Sequence, residues 1–256
     1  MTASEISSLV LALGMAVAAG LVGCFAVMRR MTLAADSMSH VALPGIGLAI
    51  IVGFSPVLGA LAMLLFGAVL IWALETRTKI STEAIIGVTF SVALAVGSMM
   101  ASGEQLIDAL FGAAGALSGW EIAAGLAGSI AVAAFILKFK DELVVSLVSP
   151  EVALTCGIDN ARINLLYLLV FSFTVALGLR FLGVLLMGSL IIIPAVTARR
   201  LARNLNEMLV IAVGVAILST TIGTYAAGAL DRPAGPLIIS IAGAIFFLSL
   251  ARPTAD

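Results

Sequence analysis

The sequence predicts an all-α membrane protein with about nine transmembrane helices in one domain, residues 1–256. Three observations predict it. The chain is 62% hydrophobic and only 11% charged, whereas soluble domains average about 25% charged. Its apolar residues fall in blocks close to the ~20 residues a helix needs to cross a ~30 Å hydrocarbon core. Its basic residues gather on one side of those blocks, as the positive-inside rule requires.

The first block, 6–28, has no Lys or Arg before it and Arg29-Arg30 directly after it. A cleaved signal peptide has its positive charge first, so this block is expected to remain as a helix with its N-terminus outside. The blocks 32–53, 56–74, 83–101, 119–138, 161–179, 181–198, 207–229 and 235–251 follow. Phe54-Ser55-Pro56, Leu182-Gly183 and Asp231-Arg232-Pro233 punctuate neighbours that would otherwise run together. With the N-terminus outside, the cytoplasmic loops and tail hold Arg29, Arg30, Arg77, Lys79, Lys138, Lys140, Arg162, Arg199, Arg200, Arg203 and Arg252. Only Arg180 and Arg232 lie outside, so eleven of the 13 basic residues face the cytoplasm. An even number of spans breaks that agreement on one side or the other, so the C-terminus is placed in the cytoplasm.

Two connections are longer than turns. Residues 102–118, SGEQLIDALFGAAGALS, lie outside; Gly112 and Gly115 would permit a re-entrant bend, and an interfacial amphipathic turn fits as well. Residues 139–160 lie inside. There Ser149-Pro150-Glu151 has the order of a helix start: a capping residue, proline at the first position, an acid in the first turn. Val152, Ala153 and Leu154 continue it, and Gly157 stands where a C-terminal glycine belongs. A short helix along the inner face follows. It either tidies a loop or docks a cytoplasmic partner.

Several classes are excluded. Net charge is −1, which gives no nucleic-acid footprint. None of the three lysines stands in a phosphate-binding GK[ST] loop, and there is no HExxH or glycine-elbow serine. The chain is therefore read as a transport subunit and not an enzyme, with its energy supplied by another chain. Cys24 and Cys156 have no metal or redox spacing and read as small buried apolar side chains.

The chemistry concentrates in 31–47, MTLAADSMSHVALPGIG. Asp36 is the one acid clearly within an apolar span, and His40 is the only histidine. Four apart on a helix, they share a face with Cβ atoms about 5–6 Å apart. Counted from Arg30, Asp36 lies about 9 Å and His40 about 15 Å along a helix, the latter near the midplane of the core. Asp at a helix centre costs roughly 2.5–3.5 kcal/mol on the insertion scale, and intramembrane ionisable residues mark ion paths. A carboxylate and an imidazole make half a site for a divalent cation, or a proton relay. Pro44 lacks the amide hydrogen and Pro44-Gly45 is expected to break the helix, freeing carbonyls near His40. The structural alternative has Asp36 capping near the interface and His40 bonding a neighbouring helix. Two ligands per chain make a weak site, which suits an ion that must leave again. A two-fold dimer would bring two of each.

These blocks resemble the integral-membrane permeases of bacterial zinc and manganese ABC importers. The resemblance rests on RRMTLAADSMSHVALPGIGLAI (29–50), AIIGVTFSVALAVG (84–97), ALFG (109–112), SPEVALTCGI (149–158), RFLGVLLMGSLIIIPAVTARRLA (180–202) and LDRPAGPLIISIAGAIFFLS (230–249). It implies the ABC-importer permease fold in the bacterial cytoplasmic (inner) membrane. It implies a homodimer with two cytoplasmic ATP-binding ATPase subunits and an extracytoplasmic metal-binding protein. It implies that 149–158 couples to the ATPase, and that Asp36 and His40 are intramembrane metal ligands. No cofactor is permanently bound; the transported ion is expected to be Zn²⁺, with Mn²⁺ or Fe²⁺ as alternatives, since 180–203 is more like the zinc branch. Ala113 departs from the Asp or Asn that often follows LFG in the family. An ion-coupled secondary transporter, with Asp36 and His40 relaying protons, is the reading from a different class.

Overall fold

The computed structural model describes residues 3–32, 34–78, 80–100 and 118–251. The connection 102–118, with its proposed re-entrant bend, lies outside them except for Ser118. The described residues form ten helices. They are α1 (Ala3–Met28), α2 (Ala34–Val52), α3 (Pro56–Arg77), α4 (Thr82–Met100), α5 (Gly119–Val148), α6 (Pro150–Thr155), α7 (Asn160–Leu182), α8 (Val184–Leu201), α9 (Leu205–Leu230) and α10 (Ala234–Ser249). Seven of them, α1–α5, α7 and α9, are long and apolar enough to cross a membrane among the described residues, and α10 is a shorter apolar helix.

The punctuation falls where the breaker residues stand. Gly53 takes a positive φ after α2, and Pro56 opens α3 at its first turn. Gly183 separates α7 from α8. Asp231 adopts the left-handed conformation that closes α9, a region in which Asp is better tolerated than most residues.

One boundary differs. The block expected to end at 138 continues as helix to Val148. Gly119 to Lys138 spans about 29 Å at 1.5 Å per residue, close to the hydrocarbon thickness. The charged Lys138, Lys140, Asp141 and Glu142 end the apolar block but not the helix, because residues 139–148 contain no Gly or Pro to stop it.

The bundle is built around α1, which packs on α5, α8 and α9. Its small and medium side chains, Ala16, Ala19, Val22, Cys24 and Phe25, are fully buried. The hairpin neighbours α3 and α4 flank α2, which reaches the rest of the bundle through α8 and α7. At the α2–α3 crossing Gly45 and Gly59 face each other, and a Cβ on either would run into the other's carbonyl oxygen. That contact is backbone against backbone, the geometry small residues permit between membrane helices. The outer faces of α3 and α4 carry exposed Phe66, Val69, Val88, Val92 and Met99, as helices solvated by acyl chains do.

Candidate functional site

The α2 helix runs unbroken from Ala34 to Val52 with Pro44 inside it. The break expected at Pro44-Gly45 is therefore not a break in the helix. Pro44 removes one donor, which leaves the His40 carbonyl without the amide hydrogen that would normally reach it from four residues on. Gly45 serves the close approach to α3 instead. The surrounding packing holds Pro44 helical: Gly97 of α4 lies against Leu43 and Pro44, so close that a Cβ there would stand 3.3 Å from Pro44 Cδ.

The continuous helix puts Asp36 and His40 on one face, as four-residue spacing requires. The helix that carries them begins later than one counted from Arg30. Arg30 takes the left-handed conformation (φ 58°) after α1, and α2 begins only at Ala34. Asp36 lies in the first helical turn, where the N-terminal end of the helix dipole favours a carboxylate. His40 is six residues past Ala34, about 9 Å into the helix.

The surroundings of the pair are sparse. Asp36 is exposed and His40 half-buried in the single chain. Among the described residues neither side chain has a hydrogen-bond or ion-pair partner. The His40 ring meets Phe90 of α4 edge-on, with centroids 5.5 Å apart and planes at 62°. Gly188 of α8 backs Asp36: a Cβ there would lie 3.3 Å from Asp36 Cα. Between them Ser39 returns its hydroxyl to the Ala35 carbonyl at 2.8 Å and is buried. Among the described residues no group of three or more His, Cys, Asp or Glu side chains comes together. One chain thus supplies two ligating side chains on an accessible face, and the rest of a coordination shell has to come from carbonyls, water or a second chain.

The short helix at the end of α5 forms as the residue order requires. Pro150 occupies its first turn, Glu151 is its acid, and Gly157 follows with φ 77°. That left-handed residue lets the chain close back: the Gly157 and Ile158 amides donate to Leu154 and Ala153 carbonyls at 3.1 and 2.9 Å. Ser149 sits at the N-cap but its hydroxyl makes no capping bond. The Ala153 amide donates to the Ser149 carbonyl instead, at 3.0 Å. Ala153 faces inward and is buried, while Val152 and Leu154 are 50% and 66% exposed. The helix is tied down by Ala153 and presents an apolar pair outward. Cys156, beside it, is exposed, unlike Cys24; the expectation of a buried thiol fails there because α6 has only one inward position.

Sequence reasoning missed a polar network at the same end of the bundle. Arg29 Nη1 donates to Asn164 Oδ1, and Asn164 Nδ2 donates to Glu75 Oε2 at 2.7 Å. The other oxygen of Glu75 accepts from the Thr82 hydroxyl at 2.6 Å. The Arg29 guanidinium stacks 4.5 Å from the centre of the Tyr167 ring, whose hydroxyl donates to the Val22 carbonyl at 3.1 Å. Burial lowers the Arg29 pKa from its ordinary value, while Tyr167 and Glu75 act the other way. This network ties α1, α3, α7 and the start of α4 together. Trp72 reinforces the α3–α7 seam by donating to the Ala161 carbonyl at 2.8 Å, and Asn160 ties α7 to α6 through the Pro150 carbonyl at 2.9 Å.

The model of the ABC 3 transport family matches residues 4–253. The high-affinity zinc uptake system membrane protein ZnuB of Haemophilus influenzae is 30% identical over 235 residues, covering 90% of each chain. The manganese transport system membrane protein MntC of Halalkalibacterium halodurans is 29% identical over 235 residues, covering 90% of this chain and 80% of that one. Among solved structures, PsaBC from Streptococcus pneumoniae in complex with Fab superposes with a TM-score of 0.83 at 25% identity, covering 98% of this chain and 92% of that chain.

Proposed function

The chain belongs to the ABC 3 transport family as a multi-pass inner-membrane permease of a metal-ion ABC importer, and from that premise we propose that it imports zinc by alternating access. In this reading Asp36 and His40 receive the ion transiently in the translocation path. The observation that carries it is their pairing on one face of α2 with no partner among the described residues, in an apolar helix where an unpaired carboxylate is costly. Imidazole suits zinc, and one carboxylate with one imidazole leaves coordination positions open. The His40 carbonyl, released by Pro44, is a further oxygen within the same turn.

The proposal extends to assembly. Two copies would present two Asp36 and two His40 side chains to a common path. Two ATPase subunits would engage α6 through Val152 and Leu154 on the cytoplasmic side, with the N-terminus outside. Their closure would move α6 and, through Asn160 and the Arg29–Asn164–Glu75 network, the α2–α4 layer. A separate extracytoplasmic metal-binding protein would deliver the ion. The similarity to the manganese protein MntC supports manganese as the second reading.

The test is ATP-dependent zinc uptake into proteoliposomes holding the permease, its ATPase and its binding protein. Uptake is expected to fall to background in His40→Ala with assembly intact. Uptake unchanged in both His40→Ala and Asp36→Ala would remove the ion path from α2. Uptake without any ATPase would favour a secondary transporter, and manganese outcompeting zinc would change the cargo.

A further inference from the structure

A cavity of about 520 Å³ opens where α1, α5, α8 and α9 end together. Arg29, Arg30 and Arg199 line it, alongside Leu147, Val148 and Met208, and no carboxylate does. Ligand sites are commonly of this size. Arg29 is engaged by Asn164 and Tyr167 and feels Glu75, whereas Arg30 and Arg199 meet no carboxylate among the lining residues. Glu207, on the first turn of α9, accepts from the Arg203 amide at 2.9 Å, and Glu75 is held by Asn164 and Thr82. Arg199 donates to the Val27 carbonyl at 3.1 Å while remaining exposed. Arg30 is exposed too. Its left-handed backbone (φ 58°) turns the chain out of α1 immediately after the apolar span Ile6–Met28.

We infer that this cavity binds the headgroup of an anionic phospholipid. The exposed guanidinium groups of Arg30 and Arg199 match a phosphodiester, to which arginine donates in pairs. The apolar side chains that complete the wall suit the glycerol and upper acyl region, and a free inorganic anion has no use for them. Position favours the same source: Met28, Arg29 and Arg30 close a membrane span, so the cavity starts at the level of the lipid headgroups, and basic recesses between transmembrane helices on that side select anionic lipids. The site also has a mechanical address. Leu147 and Val148 directly precede Ser149 and α6, so a bound headgroup would tie the base of that helix to the ends of α1 and α8.

The experiment is native mass spectrometry of the full chain in detergent, offered phosphatidylglycerol and phosphatidylethanolamine with the same acyl chains. Preferential retention of phosphatidylglycerol is expected. Arg30→Gln and Arg199→Gln should each weaken it about fivefold, the factor that ~1 kcal/mol per basic residue at the surface represents, with melting temperature unchanged in lipid-free detergent. Arg162→Gln, whose arginine lies outside the cavity and pairs with Asp159 at 2.9 Å, should leave retention unaltered. Equal retention of both lipids, or equal loss in Arg162→Gln, would overturn the inference. Displacement of the lipid by millimolar inorganic phosphate would reassign the site to a soluble anion. Weakened ATPase association in Arg30→Gln and Arg199→Gln, with lipid retention unchanged, would reassign it to that protein partner.

Discussion

Two regions of this molecule place charged side chains against apolar helices, and they do so in opposite ways. At the α6 end of the bundle, Arg29 and Glu75 are joined through Asn164, with Thr82 and Tyr167 completing the set. On α2, Asp36 and His40 share a face, and among the described residues neither has a hydrogen-bond or ion-pair partner; His40 meets the edge of Phe90. A network whose members bond one another across helices holds them in place, because breaking it strands further buried polar groups. An unsatisfied pair contributes little to the fold and retains its ligating capacity. In the proposed function, the difference would separate structural charge from charge left for a cargo.

The largest effect that sharpens this contrast is on transport. Asp36→Asn keeps the shape and removes the anionic ligand. Zinc uptake is expected to drop at least tenfold, about 1.4 kcal/mol or more, while the melting temperature in detergent stays within about 2 °C of the parent. A drop in stability matching the loss of uptake would make Asp36 a structural residue and erase the contrast.

The second effect is on stability. Asn164→Leu removes both the acceptor for Arg29 and the donor to Glu75, at a part-buried site. Leaving charged groups without partners costs about 3–5 kcal/mol when fully buried, so about 2–3 kcal/mol is expected here. Thermal unfolding in detergent measures it. Glu75→Gln, which keeps one acceptor oxygen for Asn164 Nδ2 and turns its amide NH2 to the Thr82 hydroxyl, which can accept, should cost less than Asn164→Leu. Equal costs would mean that charge, and not hydrogen bonding, holds the network.

The two regions also differ in how legible they are in the sequence. Asp36 and His40 are four apart, and helical periodicity alone places them together. The order Ser149-Pro150-Glu151 followed by Gly157 is local as well, and α6 forms between those marks. The transmembrane blocks were legible because hydropathy is summed over a window. The network is not local. Arg29 and Asn164 are 135 positions apart, and Asn164 and Glu75 are 89 apart. Nothing in either neighbourhood announces the other, and Arg29 had a sufficient explanation as a positive-inside residue. The start of α2 is hidden for a related reason: hydropathy from Met31 onward does not show that Arg30 turns left-handed and that the helix begins only at Ala34. Pro44 was overread, because the propensity to break a helix yields to the packing of Gly97 against Leu43 and Pro44.

A third substitution tests whether α2 is held as a unit. Gly45→Ala places a methyl against the Gly59 carbonyl, with Met63 Cβ only 2.6 Å from the added carbon. Overpacking of this kind costs about 1–3 kcal/mol. The α2–α3 crossing would have to open, carrying the Asp36 and His40 face with it, so uptake should fall along with stability. Gly59→Ala meets the Gly45 carbonyl from the other side and should behave alike. A stable, fully active Gly45→Ala would show that α2 moves freely of α3.

The smallest effect discriminates most finely between the regions. The edge-on contact of His40 with Phe90 is, among the described residues, the one ring contact at the candidate site, and such pairs contribute about 0.5–1.5 kcal/mol beyond area burial. Phe90 offers no ligating atom. It can only orient the imidazole and exclude water beside it. Phe90→Leu keeps most of the apolar volume, so folding should change by less than about 1 kcal/mol. The zinc concentration for half-maximal uptake should rise about two- to threefold, with the maximal rate nearly unchanged, because orientation is lost before ligation is. The ratio of zinc to manganese uptake gives a second reading. A fixed imidazole favours the ion that prefers nitrogen, so a freed one should shift the ratio toward manganese. A half-maximal concentration and an ion ratio that both stay put would mean that Phe90 does not position His40 during transport, and that the contact belongs to α2–α4 packing alone.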